Sequence, residues 1–329
     1  MPSPNCQADA GGSCNHQTLG TDSSSTFQGS NTPWSITFGT GQVSGTLCKD
    51  NFAVAGLQLA NHPFGTTNVE TIDFTDQTIP FDGLIGAAKS QLSNQNQSTV
   101  ISSLASNGLV NAAQMGYKLG RVGDGENDGQ ATFGGVDTTK FAGKLVEVPN
   151  VSQIGFFEAA MDAVSVDGGD VGLPGRTAIL DTGTTLMVIP PDDAAAIHAQ
   201  IEGSATDGAG NFAVPCDTTS VVALTVGGQA FTINPKDVAF QPLSGAGTDG
   251  LCLSGISSGQ IGGPNEWLVG DVFLKNAYFA SDEGANTVGL AALPNSVPNP
   301  GGAGGGNSVA NAGGKSRSPD SSEWQRGLR

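Results

Sequence analysis

The sequence predicts a mainly β chain of about two domains with a few short helices, and three observations carry that reading. Gly supplies 49 of the 329 residues, roughly double its usual ~7 % share, and Ser, Thr, Asn and Gln are abundant. Gly turns corners with positive φ that other residues resist, so this mixture suits many short strands joined by tight turns. Next, the chain breaks into short alternating or apolar runs separated by turn residues, the pattern of strands rather than of a helical bundle. Finally, at roughly 150 residues per domain, the length accommodates about two domains.

The charge balance narrows the function classes. Lys and Arg number 13 against 30 Asp and Glu, a formal net charge of −17. Charged residues are only 13 % of the chain, about half the usual ~25 %, so the acidity reflects a shortage of basic residues. Phosphate recognition needs clustered Lys and Arg, which argues against a nucleic-acid partner. No apolar stretch approaches the ~20 residues of a membrane span.

The elements follow in order. Residues 1–30 are polar and Gly/Ser-rich and read as loop. From Trp34, WSITFGTGQVSGTL alternates around Gly39-Thr40-Gly41, which predicts a β-hairpin with a Gly-rich tip. Further strands are expected at NFAVAGLQLA, ATFGG, GKLVEVP, FEAAMDAVSVDG, ALTVGGQAFTI and TVGLAAL. Ser98 is placed to cap a helix through STVISSLASNG, stopped by Asn107-Gly108. Asp192 and Asp193 open a second helix that Gly203 ends. From Pro294 onward periodicity and large apolar residues give out, which predicts a disordered tail over residues 294–329.

Five cysteines are present, Cys6, Cys14, Cys48, Cys216 and Cys252, with no C-x-x-C pair of the zinc or redox kind. Cys6 and Cys14 bracket a Gly-rich loop that they could close, and Cys216 and Cys252 could close a second. The alternative is that all five are reduced and buried. Asn96-Gln97-Ser98 and Asn150-Val151-Ser152 are glycosylation triplets that weakly favour a secretory route. Asp124 to Asp128 read as a solvated turn, because the spacing of a full calcium loop is missing. His16, His62 and His198 have no Ser or Cys nucleophile context.

The segment richest in chemistry is TAILDTGTTLMVIP. An apolar strand delivers Asp181 into Thr182-Gly183-Thr184-Thr185, and a second apolar run follows. A carboxylate between buried stems is costly unless hydrogen bonds hold it. Gly183 allows a tight turn whose N–H groups face the carboxylate, Thr184 offers a hydroxyl to its outer oxygen, and Thr182 is placed to pin the turn from behind. As a bare tripeptide this is an ordinary turn, but the apolar flanks favour a positioned acid/base. Leu268-Val269-Gly270 precedes Asp271 near the end of the folded region, and Leu84-Ile85-Gly86 has a similar form earlier. The pattern is therefore half duplicated, because only the later copy has an Asp-Thr-Gly ahead of it.

Taken together, ITFGTGQVSG resembles the flap, FDGLIG and WLVGDVF the segments crossing beneath the active-site loops, GFFEAAMDAVSVDG the start of the second lobe and ILDTGTT the second catalytic loop of pepsin-like aspartic endopeptidases of the fungal secreted type. The resemblance spans residues 1–293. It implies a bilobal fold with a cleft, with an incomplete first lobe over residues 1–147 and a second lobe over residues 148–293. It also implies peptide-bond hydrolysis at acidic pH by two carboxylates that share a proton and a water, Asp181 being one. Thr182, Gly183 and Thr184 would support it. Phe38, Gly39 and Thr40 would form the substrate-binding flap, with Phe38 where the family usually has Tyr and a preference for bulky apolar side chains beside the scissile bond. The pairs Cys6–Cys14 and Cys216–Cys252 match family disulfides, leaving Cys48 over, while a third family disulfide has no counterpart. No cofactor or metal is implied. The implied partners are polypeptide substrates and pepstatin-type inhibitors, for a monomer that is extracellular or vacuolar when full length.

In one respect the sequence departs sharply from that pattern. The family's first Asp-Thr-Gly loop falls just before the segment that MPSPNC resembles, so the expectation is that these residues begin after the first catalytic Asp and hold neither it nor a signal peptide. Met1 is then expected to be an internal methionine or a product of alternative splicing, and the 329 residues to be inactive. The competing reading is a non-catalytic peptide- or inhibitor-binding relative.

Overall fold

The computed structural model describes residues 1–300 except Thr40, Gln77, Glu126 and Ala246. The expected disordered tail therefore lies, from residue 301, outside the described residues, as does Thr40 of the expected flap. The described chain is mainly β with a few short helices. It divides into two compact units: residues 1–114 with 133–135 and 153–156, and residues 115–132 with 136–152 and the chain from Phe157 onward.

The first unit is built on a four-stranded sheet in the order Pro2–Ala8, Leu57–Glu70, Gln42–Val54, Gln28–Thr37. The predicted hairpin is present, its last pair being Thr37 opposite Gln42. Residues 1–30 are not all loop. Pro2–Ala8 pairs in parallel with Leu57–Glu70, and Gln28–Thr37 begins six residues before Trp34. The inward positions of the first strand are Pro2, Ser3 and Cys6 rather than branched aliphatics, so its alternation is invisible in the sequence. The run NFAVAGLQLA is not one strand either. Ala55 and Gly56 both have positive φ (50° and 78°) and fold it into a tight turn between two strands, the backbone that a two-residue hairpin requires.

The helix Val100–Ser106 is capped by Thr99, whose side chain accepts from the Ser102 N–H, and not by Ser98. Its Val100 and Leu104 pack with Leu59 into a small core, joined by Phe52, Val54, Leu57, Val110 and Phe133. Cys6 and Cys14 are disulfide-bonded. Cys48 is free and buried, and burial pushes its thiol up to about 11.

The second unit carries a larger core. Its five-stranded sheet runs Ile256–Ser258, Met187–Ile189, Glu266–Val269, Thr177–Leu180, Glu158–Ala160. Trp267, Met187, Ile189 and Val269 are fully buried along it. FEAAMDAVSVDG forms two strands, Glu158–Ala160 and Ala163–Val166, with Asp167 and Gly168 turning at positive φ. The helix Pro191–His198 starts one residue ahead of the expected span, with Pro at its first position and Ala194 and Ile197 inward. It stops before Gly203, because Ala199 to Ser204 close as successive turns. Cys216 and Cys252 form the second disulfide. No helix among the described residues is long and apolar enough to cross a membrane.

Candidate active site

Asp181 leaves the end of the Thr177–Leu180 strand, and the loop from it returns as Met187–Ile189. These two strands flank Glu266–Val269 on either side, parallel on one and antiparallel on the other, with Leu268 opposite both Ile179 and Val188. The loop thus wraps around the end of the central strand. Asp181 N–H donates to the Val269 carbonyl (3.1 Å), and Asp271 N–H donates to the Thr184 carbonyl (2.8 Å). Gly270 sits in this crossing with almost no space: a Cβ there would stand 2.1 Å from the Thr184 carbonyl oxygen and 2.5 Å from that of Leu186.

The Asp181 carboxylate is fixed at both oxygens. Gly183 N–H donates to Oδ1 (2.9 Å), and the Thr184 hydroxyl donates to Oδ2 (2.6 Å). Thr184 N–H also closes the turn on the Asp181 carbonyl (3.3 Å). Thr182 is half-buried, and its hydroxyl makes no hydrogen bond among the described residues. Two donors on one half-exposed carboxylate hold its lone pairs in set directions, the requirement for a group that must take a proton from water at a defined place.

Two groups that sequence reading did not assign to the site shape it. Asp271, one residue after Gly270, has Oδ1 buried with no hydrogen-bond partner. Burial pushes its carboxyl up to about 6; Lys275 opposes the rise and the charge on Asp181 adds to it. The signal was present in the sequence as a carboxylate directly after an apolar-apolar-Gly run. The other group is a buried brace. Asp193, 1 % exposed, accepts from Arg176 Nε (2.8 Å) and Nη2 (2.7 Å) and from Trp267 Nε1 (2.8 Å). Arg176 immediately precedes the strand that delivers Asp181, and Trp267 lies on the central strand, so one carboxylate ties both together. Burial pushes Asp193 up, but the Arg176 and Trp267 hydrogen bonds and the Arg176 charge outweigh it and leave the carboxyl below its ordinary value.

In the first unit the hairpin tip is tied by Phe38 N–H to the Gly41 carbonyl (2.7 Å), and the partly exposed Phe38 ring meets Phe74 at 5.2 Å. Gly39 is exposed. Leu84-Ile85-Gly86, of the same form as Leu268-Val269-Gly270, belongs to no strand. Leu84 and Ile85 are 56 % and 58 % exposed, against full burial of Val269, and a Cβ on Gly86 would meet nothing within 4 Å.

A mainly β chain with a braced carboxylate on an Asp-Thr-Gly loop defines a class of protein. The chain belongs to the eukaryotic aspartyl protease family, whose model matches residues 1–293. Among individual proteins, it is 40 % identical over 297 residues to the probable aspartic-type endopeptidase CTSD of Arthroderma benhamiae, covering 87 % of this chain and 56 % of that relative. It is 35 % identical over 277 residues to the aspartic-type endopeptidase ctsD of Aspergillus fumigatus (84 % and 57 %). To pepsin A of Canis lupus familiaris it is 31 % identical over 297 residues (88 % and 74 %). The chain thus spans little more than half the length of the two fungal relatives.

Proposed function

We propose that the protein is an aspartic endopeptidase that hydrolyses peptide bonds at acidic pH, with Asp181 as one of two carboxylates that activate a water. The observation that supports this most is the Asp181 carboxylate held by Gly183 N–H and Thr184 hydroxyl on a loop wrapped around Gly270. When two carboxylates lie close, both cannot ionise easily; one keeps a proton and donates to the peptide carbonyl while the other takes a proton from water. Pepsin carries such a pair, two carboxyl groups that share one proton.

The 329 residues contain a single Asp-Thr-Gly, and on this reading they hold one carboxylate of the pair and do not cleave peptides. The bare Leu84-Ile85-Gly86 supports this: it has the form of the segment that the Asp181 loop covers, without a loop over it. Residues 1–147 and 148–293 are proposed as the two lobes, with Phe38, Gly39 and Thr40 contacting substrate and favouring bulky apolar side chains. Polypeptides are the substrates, pepstatin-type inhibitors bind, and the protein works as a monomer outside the cell or in the vacuole.

The single Asp-Thr-Gly also favours a second reading, a relative that binds peptides or inhibitors without cleaving them. A quenched peptide at about pH 3–5, the range where such carboxylate pairs work, separates the two when the assayed protein includes whatever sequence its gene encodes ahead of residue 1. Cleavage abolished by Asp181→Asn supports the protease; pepstatin binding without cleavage supports the binder.

A further inference from the structure

The chain contains two triplets of the Asn-x-Ser kind, and the fold treats them in opposite ways. Asn96 is exposed at the end of a turn closed by its own N–H on the Ser93 carbonyl (2.9 Å), with φ at +51°, a conformation Asn tolerates well. Residues 93–99 pair with no strand and lie ahead of the Val100–Ser106 helix. Neither the Asn96 amide nor the hydroxyl of exposed Ser98 makes a side-chain hydrogen bond among the described residues. Both groups that define the triplet therefore face solvent with their hydrogen-bonding capacity unused.

Asn150 is 6 % exposed at the end of the Ala142–Pro149 strand. Its Oδ1 accepts from the N–H groups of Ser152 (3.2 Å) and Glu158 (3.0 Å), and its Nδ2 donates to Asn286 Oδ1 (3.3 Å). Its own N–H donates to the Asn286 carbonyl (2.9 Å). A sugar on that nitrogen would have to displace the Asn286 side chain and find room at a residue only 6 % exposed.

We propose that Asn96 is an acceptor for an N-linked glycan and that Asn150, in the folded chain, is not. The transfer joins the Asn96 amide nitrogen to the anomeric carbon of an oligosaccharide carried on a polyprenyl diphosphate. The bond from that carbon to the diphosphate oxygen breaks, its electron pair leaves with the lipid diphosphate, and the amide gives up one proton.

The site is independent of peptide cleavage, so its test does not depend on the proposed activity. Purified folded chain is incubated with a single-subunit oligosaccharyltransferase and a polyprenyl-diphosphate oligosaccharide, and occupancy is read by peptide mass, with urea-unfolded chain in parallel. The expected result is at least tenfold greater occupancy at Asn96 than at Asn150 in the folded chain, comparable occupancy of both when unfolded, and no transfer to folded Asn96→Gln. Folded chain left unmodified at Asn96, or modified equally at Asn150, overturns the proposal. Failure at Asn96 even in the unfolded chain overturns it as well.

Discussion

Gly270 and Thr184 approach so closely that a single methyl group on the glycine would overlap the threonine carbonyl oxygen, at 2.1 Å. That contact is where the loop bearing Asp181 locks onto the strand that runs between its two stems. Gly86, at the end of a run of the same form, has open space instead. Gly270→Ala is therefore expected to cost about 1–3 kcal/mol or more through forced backbone displacement. Gly86→Ala is expected to stay within about 0.5 kcal/mol. Urea denaturation of the two variants measures this, and equal losses would remove the asymmetry on which the reading of the first unit rests.

The buried brace makes a second prediction. Arg176→Leu leaves Asp193 charged, buried and without its cation, and should cost about 3–5 kcal/mol at neutral pH. Because the folded-state value of Asp193 is depressed, the stability it contributes is present above about pH 3.8 and is lost as pH falls through the lower folded value. The penalty of Arg176→Leu should accordingly shrink as the pH falls, because the variant's buried and unpaired carboxyl sheds its charge by taking up a proton. Unfolding free energies of parent and variant at pH 7 and pH 3 check this; a pH-independent penalty would contradict it.

Two buried groups should pull acid stability in opposite directions. Asp271 is raised from 3.8 to about 6, so the cost of holding it ionised is full above about pH 6 and gone below about pH 3.8. His198 is held neutral: burial lowers it from 6.5 to about 4, against the opposing hydrogen bond to Ala194. It stacks on Phe212 and places Nδ1 2.7 Å from the Ala194 carbonyl and Nε2 2.8 Å from Ser254 Oγ. Its contribution is full above about pH 6.5 and is lost as pH falls toward about 4. Each amounts to at most about 3 kcal/mol. Asp271→Asn should therefore help most at pH 7, and His198→Gln should lose its disadvantage on approaching pH 4. Stability curves that stay parallel to the parent across this range would sink both assignments.

The hairpin at Thr37–Gln42 and the loop at Asp181 were legible because each depends on neighbours in sequence: alternation in one case, an Asp-Thr-Gly between apolar runs in the other. The strand Pro2–Ala8 was hidden, since its inward positions are Pro, Ser and Cys and its pairing is set by Leu57–Glu70, more than 50 residues away. The choice of Thr99 over Ser98 as helix cap turned on a one-residue register that two adjacent hydroxyl residues do not settle. The Arg176–Asp193–Trp267 brace includes a hydrogen bond between residues 74 positions apart, Asp193 and Trp267, and depends wholly on the sheet that assembles them. Leu84 and Ile85 are apolar enough to read as buried, and only the fold reveals them as exposed.

The most direct test of the central claim is proteolysis by residues 1–329 alone. Purified folded chain is incubated at about pH 3–5 with a quenched peptide carrying bulky apolar residues, with and without pepstatin, beside its Asp181→Asn variant. No pepstatin-sensitive cleavage is predicted from either protein, because one carboxylate lacks the partner that must protonate the peptide carbonyl. Turnover by the parent chain that pepstatin blocks and Asp181→Asn abolishes would contradict the account.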